Sequence, residues 1–74
     1  MISMSFVCDY AKVSPTVLMY TVDHKLRNRA FSTYEDVDED IFVLHVLPYE
    51  RGVVLSPAEC ATLAEIVNPY LFEE

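Results

Sequence analysis

The clearest strand pattern in the chain is Ile41-Phe42-Val43-Leu44-His45-Val46-Leu47. Successive side chains of a strand point to opposite faces, so this stretch is apolar on both faces except at His45. Such a pattern is typical of a strand covered on both sides, and it predicts the centre of a sheet. Pro48 and Gly52 bracket a turn after it, and Val53-Val54-Leu55 is predicted to pair back with the strand.

The best helix signal follows directly, at Ser56-Pro57-Ala58-Glu59. Ser is a favourable N-cap, Pro suits the first helical position, and Glu three residues after the cap completes a capping box. The apolar residues that follow share one face of a helix, namely Cys60, Leu63, Ala64, Ile66 and Val67. Asn68-Pro69 is predicted to end this helix.

Signals in the first half of the chain favour strands. Residues 16–22 are dense in β-branched and aromatic side chains, which predicts a strand, and Ser14-Pro15 before them is interpreted as a break. Residues 25–31 alternate between basic and less polar positions, as an edge strand does, although a short helix is an alternative. Ser32-Thr33-Tyr34-Glu35 has the form of a capping box, so a short helix is predicted after it.

Together these patterns predict an α+β fold in one small domain spanning residues 1–74. The predicted antiparallel sheet has about four to five strands, at approximately 3–8, 16–23, 26–31, 41–47 and 52–55. A short helix near 33–39 and a C-terminal helix at 57–68, packed on one face of the sheet, complete the prediction. A core of this size rarely supplies more than about 3–5 kcal/mol of net stability.

The charge of the chain limits the partners it can bind. Twelve acidic residues against five basic ones give a net charge of −7, which disfavours contact with nucleic-acid phosphates and with anionic membranes. The composition is 53% hydrophobic with five Tyr and four Phe, so some apolar residues are expected on a binding surface. The predicted partner is another protein with a basic or apolar surface, and a homodimer is a further arrangement.

The sequence predicts a cytoplasmic protein. Its two cysteines, Cys8 and Cys60, lie far apart and are expected to be free thiols, because small secreted domains usually carry four or more. The first residues lack the charged and apolar regions of a signal peptide. No stretch approaches the ~18 apolar residues of a membrane span.

The most conspicuous polar feature is the acidic run Glu35-Asp36-Val37-Asp38-Glu39-Asp40. Three of its aspartates match the first ligand positions of a calcium loop, but Ile41 replaces the glycine and Leu47 the final glutamate. No metal site is therefore predicted. The run is interpreted either as a solvated connector or as the contact for a basic partner, with Glu35, Asp36, Asp38, Glu39 and Asp40 as the contact residues.

Two further segments are candidates for the surface. Lys25, Arg27 and Arg29 hold three of the five positive charges, and pairing with the acidic run is the preferred interpretation. The alternative is a dipolar surface that orients a partner. The tail Tyr70-Leu71-Phe72 is interpreted either as a cap on the core or as an aromatic interface, so all three residues join the predicted partner-binding set.

No catalytic, cofactor-binding or metal-binding residue is predicted. Cys8, His24, His45 and Cys60 lack the local pairing that structural zinc sites usually have. His45 has no Ser or Cys in a recognisable nucleophile turn, so a core or sheet-face histidine with a hydrogen-bond partner is preferred over a general base or a pH switch.

The sequence thus predicts a small acidic protein-binding domain without enzymatic activity. Size and charge associate it with inhibitors or adaptors encoded by phages and mobile elements, which mask a surface of a partner protein. The alternative is a nucleic-acid mimic, whose carboxylates occupy a DNA- or RNA-binding site on the partner. Such binding would be strongly weakened by salt.

Overall fold

The computed structural model describes residues 3–48 and 55–73. The strands and helices follow in the order β1 (Met4–Asp9), α1 (Pro15–Lys25), β2 (Ala30–Asp36), β3 (Ile41–Pro48) and α2 (Pro57–Val67), with a 3₁₀ turn at Asn68–Tyr70. In these residues the sheet has three antiparallel strands in the order β1-β3-β2. The α+β class is confirmed, and the predicted four to five strands exceed what the structure shows.

Strand β3 is the centre of the sheet, as its sequence predicts. Phe42, Leu44 and Val46 are at most 1% exposed and pack against both helices through Leu18 and Leu63. The alternate side chains of β3, from Ile41 to Leu47, are only half-buried on the other face. Within the described residues the helices therefore cover one face of the sheet, which we call the inner face. We call the opposite face the outer face.

The strand predicted at 16–23 is wrong, because these residues belong to helix α1. Ser14 is the N-cap, and its hydroxyl accepts a hydrogen bond from the Val17 N–H at 3.3 Å. Pro15 occupies the first helical turn, where its missing N–H is not needed. Leu18 and Val22, one helical turn apart, are completely buried. Burial of this face outweighs the β-propensity of the segment, which is a weak preference.

The strand predicted at 26–31 is also wrong for most of its length. Leu26 caps helix α1, and Arg27 and Asn28 adopt left-handed backbone conformations with φ of 56° and 61°. The Asn28 N–H donates to the Asp23 carbonyl oxygen at 3.0 Å. With its amide nitrogen turned toward Asp23, Asn28 also donates to both carboxylate oxygens, at 2.7 and 2.9 Å. The chain thus reverses before β2 begins at Ala30.

The short helix predicted near 33–39 is wrong, because β2 continues to Asp36. Ser32 caps no helix and instead lies opposite Val46 on β3. Of the two backbone N–H groups that a capping box would satisfy, that of Glu35 is directed instead toward Val43 on β3. The acidic run therefore forms the end of β2 and the turn into β3.

Helix α2 confirms the C-terminal helix and its capping box. The Ser56 hydroxyl accepts from the Glu59 N–H at 3.2 Å, and Glu59 accepts from the Ser56 N–H at 2.9 Å. This backbone hydrogen bond, together with the nearby Arg29 guanidinium, lowers the pKa of Glu59. Of the strand predicted at 52–55, residues 52–54 lie outside the described residues, and Leu55 is not in a strand.

Strand β1 matches the prediction at 3–8 within a residue. The tail lies along the edge of β1 that does not pair with β3. Leu71 forms an antiparallel bridge with Cys8, and the Phe72 N–H donates to the Val7 carbonyl oxygen at 2.9 Å. Burial raises the pKa of the free Cys8 thiol to about 11. No helix in the described part of the chain is long and apolar enough to cross a membrane.

Candidate functional site

The acidic run is fully displayed at one end of the sheet. Residues 35–40, which we call the acidic hairpin, carry five carboxylates and are all exposed. Asp38 shapes the turn, since its carboxylate accepts from the backbone N–H groups of Asp40 and Ile41 at 2.7 and 2.9 Å. This short-range bonding is what makes aspartate a good turn residue. The carboxylates of Glu39 and Asp40 are thus presented from a defined backbone.

Tyr10 anchors the acidic hairpin to the end of β1. Its hydroxyl donates to the Asp36 carboxylate at 2.8 Å, and its backbone N–H donates to the Asp40 carbonyl oxygen at 3.0 Å. The hydrogen bond to Asp36, followed by loss of water and the charge of that carboxylate, raises the pKa of Tyr10 to about 12. The hairpin is therefore held before any partner arrives, which reduces the entropy lost on binding.

The predicted pairing of the basic cluster with the acidic run does not occur in the described residues. Arg29 bonds Glu59 at 2.9 Å, and Lys12 bonds Glu73 at 3.0 Å. Arg29 immediately precedes β2, and the hairpin begins at Glu35 near the end of that strand, so extended backbone separates the two residues by roughly 20 Å. Negative and positive charges therefore lie toward opposite ends of β2, and the orientation of a partner by this charge separation stays a prediction.

His45 is the sheet-face histidine that the sequence predicts, and it has two partners. Its Nδ1 lies 2.9 Å from the Ser5 hydroxyl, and its Nε2 lies 3.3 Å from a Glu35 carboxylate oxygen. This chain of contacts links side chains of all three strands on the outer face. Sequence reasoning missed Ser5 and Glu35 as partners, because their proximity depends on a strand register that no local pattern reveals.

A Ser–His–Glu chain has the residue types of a hydrolytic triad, but residue types are only part of such a site. Catalysis also needs donors aimed at the developing oxyanion and a bound substrate beside the nucleophile. Ser5 lies within the regular strand β1, opposite His45 on β3. The contacts of His45 connect side chains of the three strands.

The outer face is mainly apolar around that polar row. Val7 and Phe31 are 48% and 50% exposed, and Val43 lies between Val7 and Glu35 in the sheet register. Glu35 thus belongs to both the outer face and the acidic hairpin. An apolar area bordered by charge is the usual composition of a protein-binding surface, with an apolar centre and a polar rim.

The tail lies at the same end of the sheet as the acidic hairpin. Leu71, Cys8, Phe42 and Asp36 form one row across the sheet. Three strand spacings, about 14 Å, span this row. Tyr70 and Leu71 also pack against the core, which gives the tail a structural role beside its predicted partner contact.

A cavity of about 400 Å³ opens between helix α1 and strand β2. Its lining consists of Met19, Tyr20, Asp23, Asn28, Ala30, Phe31 and Ser32. Tyr20 is 71% exposed and its ring stacks on His24 with centroids 6.0 Å apart. No local sequence pattern indicates this cavity, because residues 16–22 have the composition of a strand and the cavity requires helix α1 as a wall.

Within residues 3–48 and 55–73, no group of three or more His, Cys, Asp or Glu side chains is placed to hold a metal ion. Comparisons with protein-family models, curated proteins and solved structures give no match for this chain. The features of the molecule that bear on its function are the acidic hairpin, the outer face and the cavity.

Proposed function

We propose that this chain is a small acidic protein-binding domain, without enzymatic activity, that masks a surface of a partner protein. The observation that carries the proposal is the acidic hairpin. It presents five exposed carboxylates on an anchored turn, and in the described residues no Lys or Arg pairs with them. A basic partner surface would relieve the repulsion among these carboxylates.

The apolar outer face supports the same proposal. Charged contacts accelerate and orient association, whereas burial of apolar area supplies most of the affinity. Glu35 joins the two surfaces, so one partner with a basic rim and an apolar centre would contact both. The tail residues Tyr70 and Phe72 remain predicted contacts along the edge of β1.

The proposal includes an inhibitor or adaptor role of the phage or mobile-element type, in the cytoplasm. The free thiols of Cys8 and Cys60 support a reducing compartment. A nucleic-acid mimic is the second candidate, and the run of unneutralised carboxylates favours it. The concentration of these acids on one hairpin favours a local contact with a protein. A mimic would lower the nucleic-acid affinity of its partner in proportion to complex formation.

The proposal is tested by neutralising part of the acidic hairpin. A tagged Glu39→Gln/Asp40→Asn variant is compared with wild type for recovery of partners from lysate at low and high salt. The recovered partner is then purified for titration. We expect the variant to bind it about tenfold more weakly, or about 1.4 kcal/mol, and binding by wild type to weaken with salt.

The matched control is Glu65→Gln, compared with Glu39→Gln alone, so that each variant removes one charge from an exposed position. It should bind the partner as wild type does. Equal weakening by Glu39→Gln and Glu65→Gln, or binding insensitive to salt, would refute the hairpin as the contact. Light scattering of the pure chain distinguishes a homodimer from a surface kept for another protein.

A further inference from the structure

Strand β2 has a free edge in the described part of the sheet. The tail pairs with the outer edge of β1, and β3 is central, which leaves β2 as the other edge. Unpaired backbone groups along such an edge can accept an additional strand. Charged residues at the end of β2, among them Glu35 and Asp36, disfavour pairing with a second copy of this acidic edge.

The sheet hydrogen bonds show which residues of β2 face outward. The Val37 N–H donates to the Ile41 carbonyl oxygen at 3.2 Å, so this pair bonds within the hairpin. Because bonded and non-bonded pairs alternate in an antiparallel ladder, Thr33 and Glu35 direct their backbone groups toward β3. The N–H and C=O groups in between point to the free edge, and these belong to Ser32, Tyr34 and Asp36.

The cavity between α1 and β2 lies beside this edge. Side chains of an added strand would point alternately toward the inner face, where the cavity is, and toward the outer face. A volume of about 400 Å³ lies within the range of ligand pockets and accommodates a long side chain. Met19 and Tyr20 form apolar and aromatic walls, and Asp23 supplies a carboxylate.

Lysine and arginine match this combination of walls and charge. Their aliphatic stems pack on apolar surface while the charged group reaches a carboxylate, and an exposed aromatic ring adds a cation–π contact. The donors that reach the Asp23 carboxylate from the described residues come from the neutral amide of Asn28. Its negative charge therefore remains for a basic ligand, and Asp36 offers a second carboxylate at the other end of the strand.

We propose that the free edge of β2 and the adjoining cavity bind an extended basic segment of a partner by antiparallel strand addition. The inference rests on the proposed protein-binding function and specifies its binding mode. Directly opposed residues of antiparallel strands share a face. Residues of the added segment whose N–H groups bond Ser32 or Tyr34 would lie directly opposite those residues. Their side chains would therefore point to the cavity, and these are the positions at which basic side chains are expected.

The probe is a capped octapeptide of alternating lysine and valine, titrated into the ¹⁵N-labelled chain. We expect the amide signals of Ser32, Tyr34 and Asp36 to shift on binding. N-methylation of the lysines removes the N–H groups that face β2 and should weaken binding at least tenfold. N-methylation of the valines should leave it unchanged, and replacing lysine by glutamate should abolish it.

Two pairs of variants test the protein side. Asp23→Asn should weaken binding of the lysine–valine peptide about tenfold, whereas Glu65→Gln should not. Ser32→Pro removes an outward N–H without removing a bond to β3. This variant should no longer bind the lysine–valine peptide, whereas Ser32→Ala should still bind it. Thermal unfolding verifies that each variant folds. The N-methylated peptides test the backbone hydrogen bonds to β2 without any change to the protein.

The inference is overturned if the lysine–valine peptide leaves these amide signals unshifted, or if its lysine-N-methylated form binds equally well. That failure would leave the proposed function standing if neutralising the acidic hairpin still weakens binding of the partner. The opposite result is also distinguishable. If the peptide binds β2 but the hairpin variants bind the partner as wild type does, only the hairpin contact is refuted.

Discussion

Leu44→Ala is expected to leave a large fraction of the protein molecules unfolded. Leu44 is completely buried on the inner face of β3, in the core formed with Leu18 and Leu63. Truncating a buried leucine costs about 2–5 kcal/mol through lost burial and the cavity left behind. A domain of this size has only about 3–5 kcal/mol to lose. Urea unfolding followed by circular dichroism measures the loss.

Leu47→Ala is the matched control, because it makes the same truncation on the same strand. Leu47 is half-buried on the outer face, so the expected cost is about 1 kcal/mol. The difference between the two variants measures how unequally the two faces of β3 are covered. Equal costs would mean that the outer face is buried as deeply as the inner one, which would contradict the packing described above.

Thr21→Pro is expected to destabilise the chain by about 3 kcal/mol or more. Thr21 lies within helix α1, away from its first turn. Proline there removes a helical N–H and its ring clashes with the preceding turn. Loss of helical circular dichroism together with a lower urea midpoint is the predicted result.

Thr21→Ala separates this backbone effect from loss of the threonine side chain. Alanine favours a helix over threonine by roughly 0.5 kcal/mol, which offsets the lost hydrogen bond from the Thr21 hydroxyl to the Val17 carbonyl oxygen. Stability within about 0.5 kcal/mol of wild type is expected. A Thr21→Pro variant as stable as Thr21→Ala would contradict a helix at this position.

Strand β3 and helix α2 could be predicted because several local signals agree there. In β3 the apolar run and its flanking turn residues indicate the same structure. In α2 the Ser56-Pro57 start, the capping box with Glu59 and the apolar face coincide. The structure of a segment can be predicted from sequence when independent local preferences agree.

Helix α1 was missed although it begins with the same Ser-Pro pair as α2. Beside the β-branched and aromatic residues that follow it, the pair at Ser14-Pro15 indicates a break as readily as a helix start. Leu18 and Val22 are four residues apart, and that spacing places them on one face of either a helix or a strand. Contact with β3 decides between the two, and it is a tertiary effect.

The candidate site also contains features that local sequence predicts and features that depend on tertiary contacts. The acidic hairpin was predictable as an exposed acidic segment, because its composition alone excludes burial. The contacts of Ser5 and Glu35 with His45 depend on register, and the cavity at Asp23 depends on the packing of α1 beside β2. Such features arise from residues far apart in sequence, so no local pattern could indicate them.

The most direct test of the account is amide hydrogen exchange of the free chain, because the proposed binding mode requires an unpaired β2 edge. Thr33 and Glu35 should be protected by their bonds to β3, whereas Ser32, Tyr34 and Asp36 should exchange rapidly. This alternation along one strand is the predicted result. Protection of all five amides would show that the edge is already paired, and would contradict the account.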